Sequence, residues 1–458
     1  MDKKDEPLAV PHIVRGRVAF GEDLRYEGFV TPKLDLDALI WPRSQPGPAF
    51  ETPIGTVIDF LVEVGKALSL DGNRLLQEAL EATLSVNALS RRILENTYRS
   101  LPHFFQRDTL AFQVEQELGW GPIDGWAEVR KPDGNLARVR AFPPRLVHVL
   151  AGNTPGVTAI TIVRGALSKG VHLLKLPAND LFTASALLRT MAMVDADHPT
   201  LRSFSAVYWK GGDERVESPL LRAQYFDKLV VWGGEGSVRG ALRYAGPGFE
   251  VVSFDPKVSI SMVGRSALAT EAMQAEAADR AAADIALFNQ DACAASRIVF
   301  VEGEREEVDS FCARLELALR QERPLSDARG PVPPADLQIE VDALRKLAPY
   351  YRIFGEADGG GIVIRSEEPV DFHLSAKTVN VVAVTELADA VRFAGVATQT
   401  VGVFPPASVP LLRDALASAG VQRITTLGEI TGRSVDGLPH DGFYPLRRFM
   451  RWVLDDAD

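Results

Sequence analysis

The sequence predicts an α/β protein whose parallel sheets are covered by helices on both faces. Strand-like and helix-like stretches alternate from Arg145 onward, and the strands are nearly continuous apolar runs rather than half-polar ones. With 458 residues, 46% of them hydrophobic and 24% charged, the chain is long enough for two or more packed domains.

The first fifty residues are rich in proline, with short β-branched pieces such as Ile13-Val14 and Gly28-Phe29-Val30, and read as strand and coil in an extended arm. Between Gly55 and Glu115 apolar residues recur at helical spacing: Ile58, Leu61, Val62, Val64 and Leu68, then Leu75, Leu76, Leu80 and Leu84. Two or three packing helices are expected there. From Arg145 the order is strand Leu146 to Leu150, a Gly/Asn/Pro turn, helix Thr158 to Ser168 and strand Val171 to Leu176, which implies a parallel pair. Helix Thr183 to Val194 and strands Phe204 to Trp209 and Lys228 to Trp232 follow. Ligands of such sheets bind beyond the strand C-termini.

A second α/β section starts after Ser253-Phe254-Asp255-Pro256-Lys257 with a strand at Ile260 to Val263 and a helix from about Leu268 to Phe288. Next come helix Arg305 to Gln321, the loop Pro331 to Pro334, the Gly359-Gly360-Gly361 turn, and strands Ile362 to Ile364 and Val379 to Val384. Helix Leu387 to Phe393, strand Thr400 to Phe404, helix Pro410 to Ser418 and strand Arg423 to Thr426 complete it.

A formal charge of −11 without any long basic block argues against nucleic acid or an anionic membrane as the main partner, leaving small molecules as the default ligands. The least charged stretch, Leu146 to Val163, is interrupted by Asn153, Thr154, Pro155 and Gly156, which lipid would leave unsatisfied. Two cysteines make no disulfide framework, and the charged start Met1 to Glu6 lacks the apolar core of a signal peptide, so a reducing cytoplasm is expected.

Cys293 stands in Leu287-Phe288-Asn289-Gln290-Asp291-Ala292-Cys293-Ala294-Ala295-Ser296-Arg297, between an alanine-rich helix and the run Ile298 to Val301. A thiolate placed there can attack a carbonyl and split one hard acyl step into two, whereas an isolated Cys can equally be a small buried hydrophobe. Cys312, in the amphipathic run Val308 to Leu319, reads as core. The turn Ala151-Gly152-Asn153-Thr154-Pro155 puts an amide at the ligand edge of the sheet, although Asn and Pro also form turns for conformational reasons alone. The turn Gly233-Gly234-Glu235-Gly236-Ser237 could bring backbone N–H groups to a pyrophosphate, yet it is not the dinucleotide fingerprint. His148 and His172 lie in strands and read as core, and no His, Cys and carboxylate spacing suits a metal.

Taken in order, these segments resemble the aldehyde dehydrogenase superfamily, and within it the acyl-CoA reductase family that supplies fatty aldehyde to bacterial luciferase. The segments carrying the resemblance are Leu150 to Pro155, Leu173 to Pro177, Val230 to Gly234, Phe254 to Lys257, Asn289 to Arg297 and Pro439-His440-Asp441-Gly442. The resemblance implies an aldehyde dehydrogenase-like fold, a Rossmann-like cofactor domain plus an α/β catalytic domain. The expected boundaries are 1–55 for the arm and a possible oligomerisation segment, 56–256 for cofactor binding, 257–435 for catalysis, and 436–458 returning to the cofactor domain or an oligomer interface.

It also implies NAD(P)H-dependent reduction of acyl-CoA, or of an acyl group handed over by a synthetase, through a thioester on Cys293. Asn153 and the Cys293 backbone N–H would form the oxyanion hole. Lys175 and Pro177, with Gly233 and Gly234, match the cofactor site. Many NAD-preferring relatives carry a Glu three places after the lysine, where this chain has Ala178, so NADPH is expected over NADH, with Asp180 the nearby carboxylate that qualifies this. Hydrolytic relatives carry a glutamate where this chain has Ser253, which leaves water without a general base unless Glu250 takes that place. The pair Ser296-Arg297 falls one place nearer the cysteine than in many relatives. His440 could donate a proton to the departing thiol or the forming aldehyde, or cap or fix its loop. The resemblance further implies a homo-oligomer, through the arm and Phe449 to Val453, and an acyl-donating partner protein. The alternatives are an oxidative aldehyde dehydrogenase and a non-catalytic acyl-holding scaffold.

Overall fold

Strands that are apolar on both sides need cover on both sides, and each of the two seven-stranded sheets has it. The structure, a computed structural model, describes residues 7–432 and 436–456. The charged start, residues 1–6, lies outside the described residues. The chain divides into two compact units. One gathers everything up to Asp255 with Asp436–Pro439 and the chain from Phe443 onward, and the other runs from Pro256 and takes in His440–Gly442.

The first unit carries a seven-stranded sheet in the order Glu250–Phe254, Lys228–Trp232, Arg145–Val149, Val171–Lys175, Phe204–Val207, His12–Val14, Arg17–Ala19. Its first five strands are parallel, as the βαβ alternation requires, and the last two are antiparallel. Successive side chains alternate between two cores: Val147, Leu173, Leu229 and Val231 on one face, Leu146, Val230 and Val252 on the other. Where two or three helices were expected, four stand, Ile54–Ala67, Arg74–Leu84, Arg91–Ser100 and Arg107–Glu117. Arg451–Asp455 pairs antiparallel with Leu136–Phe142 of the same chain, in a three-stranded sheet with Ala127–Arg130. His148 and His172 are buried and share a hydrogen bond of 3.1 Å. Among the described residues no helix is long and apolar enough to cross a membrane.

The second unit carries the sheet Arg352–Phe354, Ile362–Ser366, Thr378–Val384, Ser296–Glu302, Val258–Val263, Thr398–Phe404, Arg423–Thr426, parallel except at its first strand. The helices Glu271–Ile285 and Arg305–Leu319 cover one face, where Ala281, Phe311 and Leu315 meet Val299 and Val301. The helix Val409–Ala419 covers the other, packing Leu412 and Leu416 on Ile260 and Phe300.

The helix expected to reach Phe288 stops at Ile285 because the chain then turns left-handed. Phe288, Asn289 and Gln290 have φ of 52°, 54° and 76°, each costing about 1–2 kcal/mol for an L-residue. Asn tolerates this conformation best, and its side chain is held on both ends. Its Nδ2 donates to Asp327 Oδ2 at 2.9 Å, and its Oδ1 accepts from the Asp327 N–H at 2.9 Å. Gln290 Nε2 donates to the carbonyls of Ser296 and Thr378 at 3.1 and 3.0 Å. The buried Lys377 anchors the facing loop, its Nζ donating to the carbonyls of Leu319, Asp327 and Ala328.

Replacing Asn289 by Ala removes two part-buried hydrogen bonds and strains the backbone. It should destabilise the protein by about 2–4 kcal/mol. Asn289→Gly should lose less, because φ is then unstrained. Urea unfolding followed by circular dichroism checks the order.

Candidate active site

In the second sheet the strands Ser296–Glu302, Val258–Val263 and Thr398–Phe404 are neighbours, with Ser259 opposite Ser296 and Val258 opposite Thr398. Because all three run parallel, their N-terminal ends lie side by side. Cys293 precedes the first, Lys257 immediately precedes the second, and Gln399 is the second residue of the third. The cluster therefore sits at the strand N-termini, whereas the general expectation for such sheets was the C-terminal edge.

Gln399 Nε2 lies 3.2 Å from Cys293 Sγ and donates to Asp441 Oδ1 at 2.9 Å. The other oxygen of Asp441 faces Lys257 Nζ at 3.6 Å, and the side chains of both are almost fully buried. Asp441 adopts φ 54°, and Gly442 follows at φ 85°. The Cys293 backbone is fixed from behind, where Ser259 Oγ donates to its carbonyl at 3.0 Å. Arg297 spans the loop, bonding the carbonyls of Leu374 and Gln290. The displaced Ser296 meets Ser261 through its hydroxyl at 2.6 Å.

Cys293 is exposed, while Cys312 is sealed in the core on the buried face of the helix Arg305–Leu319. Crowding by protein atoms pushes the Cys293 thiol above its ordinary pKa, the Gln399 hydrogen bond opposes this, and the Asp441 charge adds to it. The thiolate is the attacking form of a cysteine, so at this sulfur the Gln399 N–H favours attack while the raised pKa opposes it. His440, half-buried, immediately precedes Asp441.

In the first sheet the order of chain addition reverses between Arg145–Val149 and Lys228–Trp232, a topological switch point of the kind that binds ligands. A recess of about 340 Å³ opens there, lined by Val149, Lys175, Trp209, Glu217, Ser237 and Tyr244 among others. Burial holds the Lys175 amine below its usual range and Glu217 opposes that shift. Glu217 itself accepts from Trp209 Nε1 and the Gly212 N–H, each at 3.0 Å, and from the Tyr244 hydroxyl at 3.1 Å.

Gly233 leads from its strand into the turn with Ser237 close beside it, and Gly234 caps the helix Glu235–Leu242. Gly236, Ser237 and Gly240 of that helix border the recess. Pro177 is buried, Ala178 is exposed, and Asp180 turns inward to accept from the Thr183 N–H at 3.2 Å. Burial raises the Asp180 carboxyl to about 6, its bonds to Thr183 and Phe182 acting the other way.

Asn153 lies on the bend between Arg145–Val149 and the helix Pro155–Leu167, which Thr154 caps through the Gly156 N–H at 3.4 Å. Asn87 pins this bend, donating to the carbonyls of Gly152 and Asn179 at 2.8 and 3.0 Å. Gly152 is tightly placed: an added Cβ would displace the Asn179 side chain and stand 3.0 Å from Pro177. Ser253 is paired with Val231 in the edge strand, and Glu250 at the start of that strand is engaged by Lys228 at 3.0 Å and Arg448 at 2.6 Å.

Of the residues singled out in the sequence, Cys293 and His440 thus belong to the second unit, and Asn153, Lys175, Pro177, Gly233 and Gly234 to the first. Gln399, Glu217 and Asn87 were missed. Gln399 and Asn87 carry no motif, and Glu217 sits in a short helix, Glu214–Leu220, interrupted by Pro219.

A sequence model of the family described as acyl-CoA reductase (LuxC) matches residues 49–452. The long-chain acyl-protein thioester reductase of Vibrio harveyi is 27% identical over 97% of this chain and 92% of its own. That of Photorhabdus laumondii is 30% identical over 74% of this chain and 69% of its own. Among solved structures, 1-pyrroline-5-carboxylate dehydrogenase of Thermus thermophilus superposes with a TM-score of 0.72 at 15% identity, covering 98% of this chain and 92% of that one. An oxidoreductase from Marinobacter aquaeolei gives 0.73 at 14% identity over 99% of each chain. The fold is aldehyde dehydrogenase-like, and the chain belongs to the acyl-CoA reductase (LuxC) family of oxidoreductases.

Proposed function

We propose that this protein reduces a long-chain acyl thioester, from CoA or from a partner protein, to the aldehyde with NADPH, through an acyl thioester on Cys293. The observation that carries the reading is Cys293, an exposed residue whose sulfur faces a side-chain amide, in a chain whose other cysteine is sealed. The names of the relatives, acyl-protein thioester reductases, supply the substrate class.

In the first half-reaction Cys293 Sγ forms a bond to the acyl carbon, the donor C–S bond breaks, and the pair leaves on the donor sulfur, which takes a proton. We assign that proton to His440. When bound, NADPH supplies the hydride that reduces the thioester carbonyl. Collapse of the resulting alkoxide expels the Cys293 thiolate and releases aldehyde. Asn153 and the Cys293 N–H are assigned to the oxyanion in both steps, on the match of their segments to the family pattern. Charge-aimed donors of this kind are worth about 3–4 kcal/mol each.

The residues of the switch-point recess fit a nicotinamide dinucleotide. Lys175 would hold the adenosine ribose, and the turn Gly233-Gly234 with the N-terminus of the helix Glu235–Leu242 suits its phosphates. Pro177, buried beside Gly152, is assigned to the same site on the match of its segment to the family pattern. NADPH is favoured over NADH because both neighbouring carboxylates are committed, Glu217 to three donors and Asp180 to the helix behind it. Deacylation by water lacks a base at Ser253, since Glu250 is tied into its ion pairs. The same reading includes a cytoplasmic setting, an acyl-protein synthetase as donor and a homo-oligomer.

Cys293→Ala should fold yet lose acyl-dependent NADPH oxidation by about a thousandfold or more. Asn153→Ala should lower kcat by about 10²–10³. Retained turnover in the first variant would overturn the reading. Titrated by quenching of the protein's tryptophan fluorescence, NADPH should bind about tenfold more tightly than NADH, a gap of about 1.4 kcal/mol that Lys175→Met should largely erase.

A further inference from the structure

We propose that Gln399 is a catalytic residue that stabilises the Cys293 thiolate, and that Asp441, backed by Lys257, is the positioning residue that keeps its amide turned the right way. This rests on Cys293 as the nucleophile and adds how its sulfur is controlled.

An amide can present either its NH₂ or its oxygen to a neighbour, and at a thiolate only the NH₂ is useful. Here one nitrogen serves both contacts, with Sγ at 3.2 Å and Asp441 Oδ1 at 2.9 Å. Rotating the amide by half a turn would set its oxygen against a carboxylate and a sulfur at once. The buried Asp441 therefore fixes the orientation, and Lys257 at 3.6 Å balances the charge that this requires. The left-handed backbone at Asp441 and the following Gly442 aims the carboxylate across to the strand Thr398–Phe404.

Negative charge sits on Sγ twice per turnover, before it forms the S–C bond to the acyl carbon and again when that bond breaks and the electron pair returns to sulfur. The Gln399 N–H meets the charge each time. The other charged groups that face the sulfur are Asp441 and Arg297, the latter sharing its charge with Asp291. His440 adjoins Asp441 in the chain.

The test is the pH dependence of iodoacetamide alkylation of the full-length protein, with Cys293→Ala as the blank for Cys312. Removing one N–H donor in Gln399→Leu should raise the midpoint by about one unit, or about tenfold slower alkylation below it. Gln399→Glu, which sets a second carboxylate beside Sγ, should raise it further. Asp441→Asn removes a negative charge and so should lower the midpoint in the Gln399→Leu background. With Gln399 present it should lower it less, because the amide is then free to turn. Across the unaltered protein, Gln399→Leu and Gln399→Glu, kcat for acyl reduction should fall as the midpoint rises, with KM little changed.

An unchanged midpoint in both Gln399 variants would overturn the assignment, as would equal shifts from Asp441→Asn in the two backgrounds. Loss of turnover in Cys293→Ala alongside an unmoved midpoint removes Gln399 and leaves the nucleophile standing. Retained turnover in Cys293→Ala removes the nucleophile itself.

Discussion

The contact between the Gln399 amide and the Cys293 sulfur depends on strand order more than on any local sequence. Three parallel neighbours must start at the same edge of the second sheet for Cys293, Lys257 and Gln399 to share one corner. Slipping the strand Thr398–Phe404 by one residue would turn Gln399 to the opposite face, because side chains alternate along a strand. The continuous apolar runs that bury this sheet on both sides thus also place the Cys293 sulfur. On that sulfur two influences oppose each other: crowding by protein atoms and the Asp441 charge disfavour the thiolate, and the amide favours it.

The loop in front of Cys293 shows how strain is held at such a site. Three consecutive non-glycine residues in the left-handed region persist only where the surroundings over-determine them. The Asn289 and Asp327 bonds, the Gln290 bonds and the Lys377 anchor supply that constraint. In the first unit the corresponding discipline falls on the Asn153 bend, which Asn87 pins through two carbonyls and where Asn179 and Pro177 crowd Gly152.

Much of the fold is legible in the residues themselves. The apolar runs mark Arg145–Val149, Val171–Lys175 and Lys228–Trp232 because a doubly covered strand has no polar face to blur it. Cys293 is legible because the helix-to-strand change brackets it. Gln399 is not, since its meaning comes from Asp441, 42 positions along the chain. Glu217 is hidden for the same reason, its three donors Trp209, Gly212 and Tyr244 being brought together only by the folded switch point. The pairing of Arg451–Asp455 with Leu136–Phe142 joins segments hundreds of residues apart and leaves no periodic signal. The left-handed trio after Ile285 escapes periodicity because the alanine-rich pattern runs on past the point where the backbone turns.

The central claim is that one sulfur carries the acyl group. Mass spectrometry of the protein incubated with a long-chain acyl thioester, without reductant, tests this most directly. The account predicts one acyl group, on the peptide containing Cys293, discharged as aldehyde when NADPH is added. Acyl label on another residue, or no label in a protein that still turns over, would contradict it.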